Sequence, residues 1–448
     1  MENLAHNLAH TLQQRREKLA QLIDFPVILW SGGASPRNFP ANRYPFRASS
    51  HFLYFAGLQL ENAAIRLHQG KLELFINPPK EGSNLWHGEV PQPREIAETI
   101  GADAVYTMNE LILHSAEAAT IPVQDAKTYQ KQMLVLDRAL APAHQSIGID
   151  LDLTKAIIAL RLCHDPAALT ELRQATQATV KAHQAGRAAI AAAKTEAEVR
   201  AAMEAVLIRE QMTCAYTSIV TVHGEVLHND HYHHPLQPGD LLLIDVGAET
   251  ATGWAGDVTR TWAVSGSFSP TQQAIYDVVL AAHDACIEAI APGVEYQLIH
   301  LLAAQIIAQG LVDLGILRGN PEDLAAQDAH ALFFPHGIGH LLGLDVHDME
   351  DLGDLAGYAA GRKRSDRFGL KFLRLDRPLK TGMVVTIEPG FYQVPAILNH
   401  PPTRAKYQHL VNWDRLGQFA DVRGIRIEDD VLVTATGKEI LTAELETR

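Results

Sequence analysis

Apolar positions repeat at helical spacing over residues 1–24, with Leu8, Leu12, Leu19 and Leu22 on one face. This predicts an amphipathic helix. The run 25–30, Phe-Pro-Val-Ile-Leu-Trp, reads as a strand ending at Ser31-Gly32-Gly33. A loop from Tyr44 leads to a short helix before Gly57, and 63–67 with 71–76 form a strand pair turning at Gln69-Gly70. Short strands are expected at 102–106, 121–123 and 146–149, alternating with helices. The first part of the chain is therefore expected to be an α/β domain.

The pattern changes near residue 164. Asp165 before Pro166 is a helix-start signal: the carboxylate caps free N–H groups, and the fixed φ of proline suits a first turn. A helix is expected over 167–193, and Thr195-Glu196-Ala197-Glu198 reads as a capping box opening a second, to about 211. A strand follows at 217–222. Helices fit 270–290 and 295–314, parted by Pro292-Gly293, and strands fit 383–387, 390–394 and 424–434. The expected division is an N-terminal domain, 1–164, and a C-terminal domain, 165–448.

Within this frame, residues 241–261 predict a β-hairpin that carries Asp245 and Asp257 on apolar strands. A buried ionised carboxylate without a partner is very costly, and two together call for a cation. Similar acidic residues interrupt later apolar strands: Glu388 in Ile-Glu-Pro-Gly and Glu428 in Arg-Ile-Glu-Asp-Asp. Alternation puts Arg426 and Glu428 on one strand face, with Ile425 and Ile427 on the other. If Asp245, Asp257, Glu388 and Glu428 converge, two divalent cations would balance their charge, with His340 as the one nitrogen ligand. An oxygen-rich set with a single imidazole favours Mn²⁺ or a similar hard-to-borderline ion over thiolate-loving metals.

Composition narrows the class. Of 448 residues 47% are apolar and 20% charged, which fits a globular protein, and the net charge of −14 argues against a nucleic-acid partner. The three cysteines are far apart and form no metal or disulfide pattern. The N-terminus lacks the shape of a signal peptide, and no apolar run reaches membrane-spanning length. A cytoplasmic protein with no membrane partner is expected.

In chain order, Asp245, Asp257 in Gly-Asp-Val-Thr-Arg-Thr, His340 in His-Gly-Ile-Gly-His, Glu388 and Glu428 resemble the five metal ligands of the pita-bread metallopeptidases, the M24 family. That family includes methionine aminopeptidase, aminopeptidase P and prolidase. Tyr-Pro-Phe-Arg-Ala-Ser-Ser-His-Phe-Leu-Tyr-Phe-Ala-Gly-Leu, 44–58, resembles the N-terminal domain of the last two, the proline-specific members. The resemblance implies an α+β fold, with a pita-bread catalytic domain preceded by an α/β domain. It also implies hydrolysis of an Xaa-Pro bond by a hydroxide bridging two metals.

Site roles follow from the same resemblance. Glu388 aligns with a ligand that also shuttles a proton. His228 and His336 align with substrate-binding histidines, His347 with one that helps stabilise the tetrahedral intermediate, and Arg426 with an arginine near the metals. Asn229 departs from the tyrosine usual after the histidine at 228, and it opens a histidine-rich run, His231, His233 and His234. Trp86 resembles a tryptophan contributed by a neighbouring subunit, with a plain surface or core aromatic as the equal alternative, and a homo-oligomer, dimer or tetramer, is implied. The long 391–417 segment resembles that of bacterial prolidases and is expected to close the site behind a proline carboxylate. Xaa-Pro dipeptides are therefore the favoured substrates, with aminopeptidase P action on longer peptides as the alternative. A metal-free peptide-binding module is the remote alternative, and the complete ligand set weighs against it.

Overall fold

The computed structural model describes residues 2–447, with side chains from residue 8 onward. The chain forms two compact units, residues 1–162 with 349–356, and residues 163–348 with 357–448. The excursion of 349–356 into the first unit departs from a single cut near 164. Asp351, on that excursion, accepts from His51 at 3.0 Å, and the other ring nitrogen of His51 lies 2.9 Å from Arg161 Nη1.

The first unit has one four-stranded sheet in the order Val27–Trp30, Ala64–His68, Lys71–Phe75, Ala104–Tyr106. Its first three strands are antiparallel and the last is parallel to its neighbour. The N-terminal helix, Glu2–Ala20, buries Leu12 and Leu19. Leu22 falls beyond the helix end and is 50% exposed, so it leaves the expected core face. The short helix Ser50–Ala56 is buried along its whole length and ends on Gly57 in the left-handed region, where a Cβ would come 2.8 Å from Leu8.

Two expected strands of this unit do not form. Residues 120–123 carry no strand, and 146–149 gives way to the helix Gly148–Arg161. There Asp150 in the first turn accepts the Thr120 N–H and binds Arg138, a polar anchor that outweighs the β-forming Ile147 and Ile149, both left exposed.

In the second unit the helix Pro166–Ile190 starts on Asp165, which accepts the Ala168 N–H. It packs on Glu196–Arg209, and Pro270–Glu288 packs on Tyr296–Asp313. Thr195 is the N-cap of Glu196–Arg209 without a side-chain bond, so the capping box is not made. Glu198 accepts from Lys194 N instead, and the fully buried Glu196 accepts from Val222 N and His234.

Two three-stranded antiparallel sheets lie in this unit: Thr259–Ala263, Leu241–Asp245, Ile219–Thr221, and Val384–Ile387, Asp429–Val433, Lys438–Ile440. The expected strand over 424–434 is broken. Gly424–Arg426 pairs with Gly390–Tyr392, and Asp429–Val433 pairs with Val384–Ile387. Glu388 and Glu428 therefore sit at facing interruptions of one strand pair. The Glu428 N–H donates to Thr259 O, which joins this break to the other sheet.

The 391–417 segment forms three short helices, Pro395–Leu398, Pro401–Tyr407 and Trp413–Gly417. Its anchors run to residues 314–327: Tyr407 to Gln327 O, Asn412 N to Ile316 O and Arg415 to Leu314 O. Tyr392, at its start, bonds Arg426 and lies 2.9 Å from His336 Nε2. Among the described residues, no helix is long and apolar enough to cross a membrane.

Candidate metal centre

The hairpin carries its two aspartates differently from the expectation. Asp245 ends its strand opposite Thr259, whereas Asp257 lies two residues before Thr259–Ala263, on the return of an irregular loop. Both are buried. The strand Thr213–Cys214 pairs with Ala248–Glu249 and delivers Tyr216 between them. The Tyr216 hydroxyl lies 2.5 Å from Asp245 Oδ1 and 2.5 Å from Asp257 Oδ1. A phenol has one proton, so the second contact needs a proton from a carboxyl group. Burial, then the Asp245 charge, push Asp257 up to about 7, with the Tyr216 hydrogen bond opposing the rise.

His340 is held along the Val384–Ile387 strand. Its N–H donates to Thr386 Oγ1 and its carbonyl accepts the Thr386 N–H. Gly339 makes this possible, since a Cβ there would meet Thr386 O at 2.2 Å. The ring Nδ1 lies 3.0 Å from Leu341 O and must be the protonated nitrogen. Nε2 is left as an electron-pair donor, 3.3 Å from Asp257 Oδ2 and 3.9 Å from Glu388 Oε1. One ligand atom each from Asp257, His340 and Glu428 lies within 4.8 Å of the others, a spacing that fits a cation.

Thr259 ties the second acidic pair. Its hydroxyl donates to Glu428 Oε2 at 2.7 Å and accepts from Arg426 Nε at 3.0 Å, so Arg426 and Glu428 do face one side despite the strand break. Arg426 also donates to Asp245 Oδ2 at 2.5 Å. Glu388 is pushed up to about 8 by burial, partly opposed by Arg426. Glu428 is pushed well up by burial and by Asp257, Glu388 and Asp245. Arg426, with Arg374 acting on Glu388, leaves the acidic cluster short of positive charge, a deficit that suits divalent cations.

A polar chain leads outward from Asp245. Arg426 Nη1 donates to the Tyr392 hydroxyl at 2.9 Å, and that hydroxyl lies 2.9 Å from His336 Nε2. His336 Nδ1 is 2.8 Å from Gly337 O, so it is the donor, and the Tyr392 proton points to Nε2. Burial holds His336 neutral, at about 3. With both nitrogens engaged, His336 offers its ring rather than a hydrogen bond. Phe334 and Tyr392 flank it at 4.9 and 5.4 Å between ring centroids.

His347 packs edge-on against His340 at 4.3 Å. His228 is exposed at its edge and held below the ordinary imidazole value by desolvation, then by Arg426, with Asp245 and His347 also acting on it. Asn229 fixes the register here: its side chain donates to Thr221 Oγ1 and accepts from His231 N. His234 turns to Glu196 and His231 lies near Asp230. Sequence reasoning missed Tyr216, Thr259, Tyr392 and Arg374, whose charge acts on His228, His336 and Glu388. Only Thr259, inside the Asp-Val-Thr-Arg-Thr motif, carried a local signal.

Gly247 lies between the aspartates and has no room for a side chain. A Cβ there would sit 1.9 Å from Gly256 O and 2.8 Å from the Tyr216 ring. Gly247→Ala is expected to cost about 2 kcal/mol or more, because overpacking of this kind moves backbone, and to weaken metal binding. Chemical denaturation and metal calorimetry check this, and wild-type values in both would refute it.

The family model described as Metallopeptidase family M24 matches residues 170–435, and that of the aminopeptidase P N-terminal domain matches residues 12–121. A probable Xaa-Pro aminopeptidase of Verticillium alfalfae is 33% identical over 408 residues, covering 89% of this chain and 85% of its own. One of Pyrenophora tritici-repentis is 31% identical over 403 residues, covering 89% and 84%. Among solved structures, aminopeptidase P from E. coli in its low-pH form superposes with a TM-score of 0.80 at 28% identity, covering 98% of this chain and 96% of that one. Proline aminopeptidase P II from Yersinia pestis gives 0.78 at 28%, covering 98% and 97%. The chain therefore belongs to metallopeptidase family M24, as a metal-dependent peptidase with a pita-bread catalytic domain behind an aminopeptidase P N-terminal domain.

Proposed function

We propose that this protein is an Xaa-Pro aminopeptidase, which removes the N-terminal residue from peptides with proline in second place. The observation that carries this reading is the likeness to aminopeptidase P over both domains. Relatives and solved structures named as aminopeptidases favour it over the dipeptidase preference drawn from the 391–417 segment.

In this reading Asp245, Asp257, His340, Glu388 and Glu428 hold two divalent cations, with Mn²⁺ favoured by the oxygen-rich donor set. When bound, these cations polarise the scissile carbonyl and acidify the attacking water. Glu388 takes a proton from that water and returns it to the proline nitrogen as the bond breaks. Arg426 fixes the Asp245 carboxylate and Tyr392. His336, partly exposed and backed by the buried Phe334 and Tyr392, is the proposed contact for the proline ring, with His228 and His347 as the substrate-facing imidazoles beside it. The exposed Leu85 and Trp86 support a homo-oligomer built through the first unit. A cytoplasmic location remains part of the proposal.

Arg374 favours a second reading, action on Xaa-Pro dipeptides, because a guanidinium acting on His228, His336 and Glu388 suits a free proline carboxylate. Mn²⁺-loaded enzyme is to be assayed on an Xaa-Pro dipeptide and an Xaa-Pro-Xaa tripeptide. Higher kcat/KM is expected on the tripeptide, and preference for the dipeptide would replace the first reading by the second.

A further inference from the structure

Arg260 stands between Thr259 and Thr261 behind the metal centre and is 1% exposed. A guanidinium has five N–H donors, and all five are engaged. Nη1 donates to Thr259 O at 3.0 Å and Glu428 O at 2.6 Å. Nη2 donates to Asp429 Oδ1 at 2.8 Å and Leu445 O at 3.1 Å, and Nε to Glu446 O at 3.1 Å. One fork thus joins the main chain of Glu428 to two carbonyls of the last residues described.

The same terminal segment touches the centre elsewhere. Leu445 packs with Val180 and with Val258, the neighbour of Asp257. Thr442 donates to Asp429 Oδ1 at 2.5 Å, and His283 Nε2 lies 2.9 Å from Asp429 Oδ2. The Tyr276 hydroxyl donates to Thr447 O, and Arg187 pairs with the Glu446 carboxylate at 2.6 Å. Asp430, beside Asp429, accepts the Asp257 N–H at 3.1 Å. A tail serving only to cover apolar surface would not need its carbonyls to complete a buried guanidinium.

We propose that residues 442–447 are a positioning clamp for the metal centre, acting through Arg260 on Glu428 and through Val258 on Asp257. Arg260 and the tail touch neither substrate nor metal. They hold two ligand-bearing segments at one separation, so their loss should loosen metal binding before it affects the chemistry of a loaded site. The inference rests on the ligand set proposed above.

The test uses the full chain with Arg260→Lys, which keeps the charge and loses the fork, and a truncation after Ala443. Mn²⁺ affinity is read by calorimetry, thermal stability separately, and kcat against Mn²⁺ concentration. Both variants should bind Mn²⁺ on the order of 10- to 100-fold more weakly, the range for groups that orient metal ligands. Excess Mn²⁺ should restore kcat to within about threefold, since the proposed catalytic groups are intact. Glu439→Gln, which breaks the exposed ion pair with Arg173, should match wild type. Folded variants with wild-type Mn²⁺ affinity would overturn the clamp. Should the truncated chain not fold, Arg260→Lys decides alone. Asp257→Asn separates the two ideas: if it keeps wild-type Mn²⁺ affinity, the ligand set is wrong and the clamp falls with it, whereas its loss of binding beside an unaffected Arg260→Lys rejects the clamp alone.

Discussion

Glu388→Gln is expected to lower kcat by on the order of 10³-fold at saturating Mn²⁺, within the 10² to 10⁴ typical of a lost general acid–base group. Glutamine keeps the volume and one oxygen, so the buried pocket should stay filled. It loses the negative charge and the ability to carry a proton between water and the proline nitrogen. The side chain suits that work. Its carboxylate lies beside the other proposed ligands, 3.9 Å from His340 Nε2, where a water held at the centre would meet it. His336 Nδ1 lies 3.6 Å from the carboxylate, and as the donor to Gly337 it cannot accept that proton, so no neighbouring imidazole in this pair substitutes for Glu388. Tripeptide turnover with matched thermal unfolding checks the expectation. A folded variant keeping more than about a tenth of wild-type kcat would remove Glu388 from the proton-shuttle role.

The proposed ligand set stands out in the sequence because its carboxylates break a local rule. Asp245 follows four apolar residues, and Glu388 and Glu428 interrupt apolar strands. A charge in such a setting needs a partner, and the motifs around it named the family. The groups that tune the ligands break no local rule. Tyr216 meets Asp257 across 41 positions, and Arg426 meets Asp245 across 181. Arg260 reaches Leu445 across 185. Such contacts are properties of the folded topology, and a tyrosine in a loop or an arginine in a strand looks ordinary until its partner arrives.

The missed elements have the same origin. Ile147 and Ile149 suggested a strand, but the buried Asp150, satisfied by Thr120 N and Arg138, anchors a helix there. Glu196 was read as part of a helix start, yet its carboxylate bonds Val222 N and His234, a tertiary use that spacing alone does not show. The length of the 391–417 segment was visible; its direction was not, because the carbonyls that receive it, Leu314, Ile316 and Gln327, lie in a distant stretch.

Mn²⁺ affinity should rise steeply with pH, by on the order of 10²-fold between pH 6 and 7, as the proposed ligand carboxyl groups ionise. Without metal, Asp257 holds its proton to about 7 and Glu388 to about 8, with burial the first cause in both, and Glu428 is pushed well up by burial and its acidic neighbours. A cation needs these groups ionised, so binding at pH 6 should release about two to three protons, the same number that sets the slope of log affinity against pH. The sign for stability follows. Each raised carboxyl binds its proton more tightly in the native metal-free state than in the unfolded chain. The metal-free protein is therefore stabilised at low pH and loses that contribution as pH rises from about 4 towards 8. Bound metal removes the loss by pairing the charges, so the melting-temperature gap between loaded and metal-free protein should widen from pH 6 to pH 8. Calorimetry in buffers of different ionisation enthalpy counts the protons directly. Release of fewer than about one proton at pH 6, with a flat affinity up to pH 8, would mean that these carboxylates are already ionised or are not the ligands.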